Sequence, residues 1–268
     1  MSPHIQLIAL DLDGTLLSED GSVSERNTRA IQTAVAQNVQ VILATGKTRS
    51  SAIKVLAQLG LSAPGVFTQG LVIHNADGSV RYEETLDRET AVRAITFAVQ
   101  HQFPHHAYCG ANIITPEDNL YRHRLHEKYH EPLPEIVGPF LAQIDALRIN
   151  KFLVSDETQN DATRARLANL LGDRAVVTQA VAGYIEVLPS GASKGRGVQR
   201  LLADLGIPPA AMLAIGDGEN DLEMLQMAGI GVAMGNGKPV VKAVADYITS
   251  DHNHDGVAEA IERFVLNV

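Results

Sequence analysis

Tryptophan is absent from this chain, and all aromatic residues together make up only 4% of its 268 residues. So few ring faces leave little on which single-stranded nucleic acid could stack. The single cysteine, Cys109, rules out an internal disulfide and fits a reducing compartment. Nothing near it forms a nucleophile–base pair, so it reads as a small packed residue. No apolar run reaches the length needed to span a bilayer. A strand pattern begins almost at once with no basic stretch ahead of it, so no signal peptide is expected and the cytoplasm is the default location. Basic residues number 22 against 31 acidic ones, for a formal charge of −9 and a pI near 5.5. That balance argues against a nucleic-acid backbone or an anionic membrane as the main partner. An acidic protein still binds phosphates where a metal ion and a few basic groups converge. A hydrophobic content of 45% is enough for one large core or two smaller ones.

What the chain does contain is organised around Ile5 to Leu17. Ile5, Leu7, Ile8, Ala9 and Leu10 read as a buried parallel strand, and the run ends in Asp11-Leu12-Asp13-Gly14-Thr15. Positions i and i+2 of an extended segment point the same way, so Asp11 and Asp13 crowd one small space. At roughly 4 Å and an effective dielectric near 20, two such charges repel by about 4 kcal/mol. A cation is therefore expected between them. Gly14 allows a turn or a close approach of backbone to ligand, and ligands of open α/β sheets bind at the carboxyl ends of strands. The plain alternative is a strand followed by an acidic turn. A calcium loop of the EF-hand type is excluded, because its twelfth position, counted from Asp11, is Ser22 rather than Glu.

Further along, Ser24 caps a helix to about Gln37, and Val39 to Ala44 forms a second buried strand ending in Thr45-Gly46-Lys47. A helix follows, with Ala52, Ile53, Leu56 and Leu59 as its stripe and Gly60 as its stop. Short strands are expected over Val66 to Thr68, Leu71 to His74 and Val80 to Glu83. From about Thr85 to Val187 the texture changes to a βαββ-like block, large enough to be a separate inserted domain. The alternating pattern resumes at Ser193-Lys194, which opens a helix through Leu205. Met212 to Ile215 is another buried strand, ending in Gly216-Asp217-Gly218-Glu219-Asn220-Asp221. Strands alternating with helices imply a mostly parallel sheet.

Three strand ends thus carry polar clusters: Asp11/Asp13, Thr45-Gly46, and Asp217/Asn220/Asp221, with Lys194 opening a helix just before the third. Carboxylates without Cys or His at ligand spacing select a hard cation, and Mg2+ needs only one or two protein carboxylates beside water and phosphate. Thr45, the amides beyond it and Lys194 are donors for phosphate oxygens. Taken singly, Thr45 and Asn220 also read as helix caps, and Lys194 as a solvated charge.

Asp11-Leu12-Asp13-Gly14-Thr15, Thr45-Gly46, Gly191-Ala192-Ser193-Lys194-Gly195 and Gly216-Asp217-Gly218-Glu219-Asn220-Asp221 resemble the four motifs of the haloacid dehalogenase-like superfamily. The resemblance covers essentially the whole chain. The long insertion falls between the second and third motifs, as in the Cof-type (class IIB) hydrolases. The similarity implies an α/β fold with a Rossmann-like doubly wound, mostly parallel sheet and an inserted α+β cap domain of the C2B type. The expected division is core over 1–84, cap over 85–187 and core again over 188–268. It further implies a phosphoric monoester hydrolase working through an aspartyl-phosphate. Asp11 would be the nucleophile and Asp13 the group that protonates the leaving oxygen and then activates water. Thr45, Gly46, Lys194 and Asn220 would hold the phosphoryl oxygens. Mg2+ would be held by Asp11, the Asp13 carbonyl and Asp217, with Asp221 either a ligand or an anchor for one. The expected substrate is a small phosphorylated metabolite, sugar phosphates first. Two alternatives remain: a phosphomannomutase-like phosphotransferase and a catalytically silent phosphate-binding regulator. Monomer and dimer are both open.

The chain departs from the pattern in two places. Lys47 follows Thr45-Gly46 where many relatives carry Arg, and Arg and Lys are not equivalent at a bidentate site. Gln69-Gly70-Leu71 stands where an Asn-Gly-Ala segment is common. In addition, six of the ten histidines lie between His101 and His130. Of these, His123, His126 and His130 share helical spacing, which admits either a second metal site or a solvated face. Arg122, Arg124 and Lys128 make that stretch basic, and a contact from Arg122 and Arg124 to an anionic or hydroxyl-rich leaving group is expected.

Overall fold

In the computed structural model, which describes residues 4–181 and 183–266, Leu7–Leu10 is a central strand whose four residues are all fully buried. It pairs in parallel with Gln40–Leu43 on one side and Met212–Gly216 on the other. Ile230–Ala233 and then Tyr247–Ile248 extend the sheet, again in parallel. Burial on both faces of Leu7–Leu10, Met212–Gly216 and Ile230–Ala233 explains why these three read as unbroken apolar runs rather than alternating ones. On one face Ile8, Leu10, Val41, Leu43, Leu213 and Ile215 form a single core with Ala30, Ile31 and Ala34 of helix Glu25–Ala36 and Val257, Ala258 and Ile261 of helix Gly256–Ile261. Ser24 caps the first of these helices by accepting from the Asn27 amide at 3.1 Å. Helix Lys194–Leu205 buries Val198, Leu201 and Leu202 and packs on helix Leu222–Met227. Full burial of Leu7, Ile8 and Leu10 contributes roughly 1.5–3 kcal/mol each, which holds in place a strand whose next residue is a buried carboxylate.

The chain divides into two compact units. The first comprises residues 1–46, 52–81 and 193–268, and holds the parallel sheet. The second comprises 82–192 together with the short segment Lys47–Ser51. Its sheet has six strands in the order Ala175–Val181, Tyr184–Pro189, Lys151–Ser155, His105–Cys109, Asn112–Thr115 and Glu135–Ile136. All pairs but the last are antiparallel. One face, with Ala107, Phe152, Val154, Ile185 and Val187, packs on helices Arg88–Gln100 and Asn160–Leu171. The other carries Tyr108, Leu153 and Tyr184 against Leu125 of helix Leu120–Tyr129.

The strand Glu135–Ile136 and the 3-10 segment Phe140–Ala146 have no counterpart in the sequence reading. Both are short and lack a periodic apolar stripe. The expected strand at Val66 to Thr68 ends one residue earlier, at Phe67. Thr68 and Gln69 then turn into the left-handed region, with φ of 52° and 58°. Leu71 belongs to that corner, and the following strand is Val72–His74.

Candidate active site

Register brings the polar strand ends together. Leu10 is level with Leu43 and with Ile215, so the residues that follow all three strands emerge at one edge of the sheet. Asp11 continues the ladder, its amide donating to the Ile215 carbonyl at 3.1 Å, and is 6% exposed. Lys194 is 1% exposed and its ammonium lies between two carboxylates, 2.7 Å from Asp11 Oδ1 and 2.5 Å from Asp221 Oδ1. Asp221 is fully buried, and its Oδ2 accepts from the amides of Asp217 and Gly218 at 3.0 and 2.9 Å. All of its bonding is thus inward, closing the 216–221 turn and seating the lysine. Asp217 accepts from the Thr15 hydroxyl at 3.2 Å. Ser193 caps the lysine's helix, accepting from the Arg196 amide at 3.1 Å and donating to Glu223.

Asp11, Asp217 and Asp221 each offer an oxygen within 4.8 Å of the others, the one such group of acidic, histidine or cysteine side chains among the described residues. Three carboxylates against one ammonium leave the cluster short of positive charge. Burial pushes the Asp11 carboxyl up to about 8, despite the pull of Lys194 and with Asp221 and Asp217 adding to the rise. An ion pair alone would lower it. The direction nevertheless stands, because one ammonium is shared between two buried acids. Asp217 is pushed up to about 6 by burial and then by Asp221, and Lys194 is raised by its two acidic neighbours against its own burial. The donor set is all oxygen, as a hard divalent ion requires. Two glycines make room for the carboxyl groups themselves. Gly14 sits at φ +76°, and a Cβ there would lie 2.6 Å from Asp217 Oδ2. At Gly216 a Cβ would meet Asp221 Cγ at 2.5 Å.

Asp13 lies off the strand at an exposed position in the turn, bridged to Leu17. Thr45 and Gly46 end the neighbouring strand, where Thr45 donates its amide to the Val66 carbonyl at 2.9 Å. Gln69 was missed by the sequence reading, which treated its segment only as a departure. Its amide donates to the Thr45 carbonyl at 3.2 Å, and its Oε1 accepts from Asn220 at 3.3 Å. Its side chain also fills the space a Cβ on Gly46 would need, at 2.7 Å. Gln69 therefore ties Thr45-Gly46 to Asn220. Two successive non-glycine residues in the left-handed region cost of order 1–3 kcal/mol each and mark functional corners, but that signal appears only in the backbone.

In the second unit Glu131, 4% exposed, accepts from Thr48 at 3.1 Å and from Ser51, and from the Tyr108 hydroxyl at 3.3 Å. Burial raises its carboxyl against the opposing pull of Lys151 and Lys47, the latter in the departing position. The histidine-rich helix is held by local bonds: His123 pairs with Asp118 at 3.0 Å and His126 with the Glu131 carbonyl at 2.9 Å. Among the described residues these histidines form no metal-binding group. Arg122 is bound by Asp118 and the Pro134 carbonyl, and Arg124 by Glu157.

A parallel α/β sheet thus carries an acidic cluster and a buried lysine at its carboxyl edge, and comparison with known proteins identifies the family. The family model for haloacid dehalogenase-like hydrolases matches residues 8–261. A chloroplastic endoribonuclease YBEY of Arabidopsis thaliana is 38% identical over 98% of this chain, but the chain spans only 47% of that protein. A putative phosphatase of Streptococcus pyogenes is 31% identical over 98% of this chain and 99% of its own. The crystal structure of a haloacid dehalogenase-like hydrolase from Bacteroides thetaiotaomicron superposes with a TM-score of 0.88 at 30% identity, covering 97% of this chain and 99% of the other. The chain belongs to the haloacid dehalogenase-like hydrolases and, as a member, is an enzyme of the hydrolase class. No helix is long and apolar enough to cross a membrane among the described residues.

Proposed function

We propose that this hydrolase is a Mg2+-dependent phosphatase, cleaving phosphate monoesters of small metabolites, sugar phosphates first among them, by way of an aspartyl-phosphate on Asp11. The observation that carries the reading is the Lys194 ammonium held between Asp11 and Asp221 in a cluster that Asp217 completes. Lys194 fixes Asp11 Oδ1 and so orients the carboxylate for attack on phosphorus. Asp13, exposed in the turn, gives a proton to the departing alkoxide and then takes one from the water that cleaves the acyl phosphate. Thr45, the Gly46 amide, Lys194 and Asn220 bind the equatorial phosphoryl oxygens, with Gln69 setting the separation of Gly46 and Asn220. Asp11, Asp217 and the Asp13 carbonyl would hold Mg2+, and Asp221 acts as the anchor of the Asp217-Gly218 turn and of Lys194. When bound, the ion supplies the positive charge that lets a carboxylate approach an anionic phosphoryl group. The shortage of positive charge and the all-oxygen donor set both fit it. Residues 85–187 are the inserted cap, and substrate choice resides there.

The test is a hydrolysis screen over sugar phosphates, nucleotides, flavin mononucleotide and pyridoxal phosphate, with and without Mg2+, for the wild type and Asp11→Asn. Phosphate release that requires Mg2+ and disappears in Asp11→Asn is expected. Hydrolysis surviving intact in that variant refutes Asp11 as nucleophile, and product isomerisation without release of phosphate would replace the phosphatase by a phosphotransferase.

A further inference from the structure

The strand fixes Asp11, but Asp13 lies beyond the sheet ladder, in a turn whose next peptide is held from elsewhere in the chain. One loop from the far end of the chain holds the Gly14–Thr15 peptide, and a second holds the chain further on. The first, Met234 to Lys238, is itself tied at three points: the Gly235 amide to the Ser250 carbonyl at 3.1 Å, Gly237 to Met234 at 2.8 Å and Lys238 to the Asp217 carbonyl at 3.1 Å. From its tip the carboxamide of Asn236 donates to the Gly14 carbonyl at 2.8 Å. Its oxygen accepts from the His252 amide at 3.0 Å. Only this orientation of the carboxamide serves a carbonyl and an N–H together. The second loop adds Asn253, which accepts from the Glu19 amide at 3.2 Å, and Asp255, which accepts from Ser24 at 2.5 Å. The peptide that follows Gly14 is thereby held from both sides, since the Thr15 amide donates to Leu12 at 3.3 Å and the Thr15 hydroxyl to Asp217.

We propose that Asn236 is a positioning residue for Asp13, acting through the Gly14 carbonyl to aim the exposed carboxyl at the leaving oxygen. The proposal rests on the reading of Asp13 as the proton donor. Asn236 is exposed, so its removal leaves the core intact. What it fixes is one peptide plane in a turn containing a left-handed glycine, which has little conformational preference of its own.

The test compares Asn236→Ala and Asn236→Asp with Asp13→Ala on two substrates: the best alkyl phosphate from the screen, whose leaving group needs a proton, and p-nitrophenyl phosphate, whose leaving group does not. Asn236→Asp retains the acceptor for His252 and loses the donor to Gly14. Both Asn236 variants are expected to lose about tenfold in kcat/KM on the alkyl ester, the equivalent of about 1.4 kcal/mol, with little loss on the nitrophenyl ester. Their melting temperatures and the shift produced by Mg2+ are expected to stay at wild-type values. Equal losses on both esters, a lowered melting temperature accompanying the loss, or full activity in Asn236→Asp each overturns the proposal. If Asp13→Ala itself shows no leaving-group dependence, the proton-donor reading falls first. If it does and the Asn236 variants do not, the proposal alone falls.

Discussion

Replacing Lys194 by methionine keeps most of the side-chain volume and removes the one ammonium bonded to Asp11 and Asp221. The lysine is the counter-charge of two buried acids, one of them, Asp221, fully buried. Removing one partner of a buried pair leaves the other charge uncompensated and costs roughly 3–5 kcal/mol, about 4 at the midpoint. At about 2–4 °C per kcal/mol for a chain of this size, the melting temperature should fall by roughly 8–16 °C at pH 7. Calorimetric melts in EDTA at pH 7 read the fall. Pairing Lys194→Met with Asp221→Asn should recover part of the stability and none of the activity. A variant melting within about 2 °C of wild type at pH 7 would refute the account of this lysine as the counter-charge of a buried acid.

The same acids set a pH window for the metal-free protein. Asp11 and Asp217 are raised to about 8 and about 6, so the folded chain retains protons that the unfolded chain releases above about pH 4. Their contribution to stability is therefore complete below that pH and is lost as the pH rises through about 6 and then about 8. Mg2+ requires the ionised forms, so the melting-temperature gain from the ion should grow across that window; a gain that is constant with pH, or that persists in Asp217→Asn, contradicts the metal assignment. Gly14→Ala places a Cβ 2.6 Å from Asp217 Oδ2 at a φ of +76°. It should cost about 1–3 kcal/mol and weaken the response to Mg2+ by displacing Asp217, as read by melts with and without the ion; an unaltered Mg2+ response would show that Asp217 has no such constraint.

Which parts of this site were legible in the sequence follows from how each residue is held. Asp11, Thr45, Asp217 and Lys194 stand beyond the buried carboxyl ends of strands or at the start of a capped helix, and those elements announce themselves through apolar runs and a serine cap. Once the strands are parallel and level, the clustering of their next residues needs no further information. Gln69 and Asn236 are held differently. Each acts through a hydrogen bond between segments 151 or 222 residues apart in sequence, and neither sits in a periodic pattern. Gln69 depends on a left-handed corner that a glutamine does not advertise, and Asn236 on a loop whose shape is set by carbonyls of Met234, Ser250 and Asp217. The grouping of Lys47–Ser51 with the second unit is of the same kind, since it depends on Glu131 accepting from Thr48 and Ser51, some eighty residues away in the chain. Sequence thus discloses the groups that perform chemistry, because burying them demands a recognisable element on either side. It is silent on the residues that aim those groups, because a single side-chain amide on a loop changes no hydrophobic pattern, and a hydrogen bond to a backbone carbonyl can be made from any segment that the fold happens to bring near.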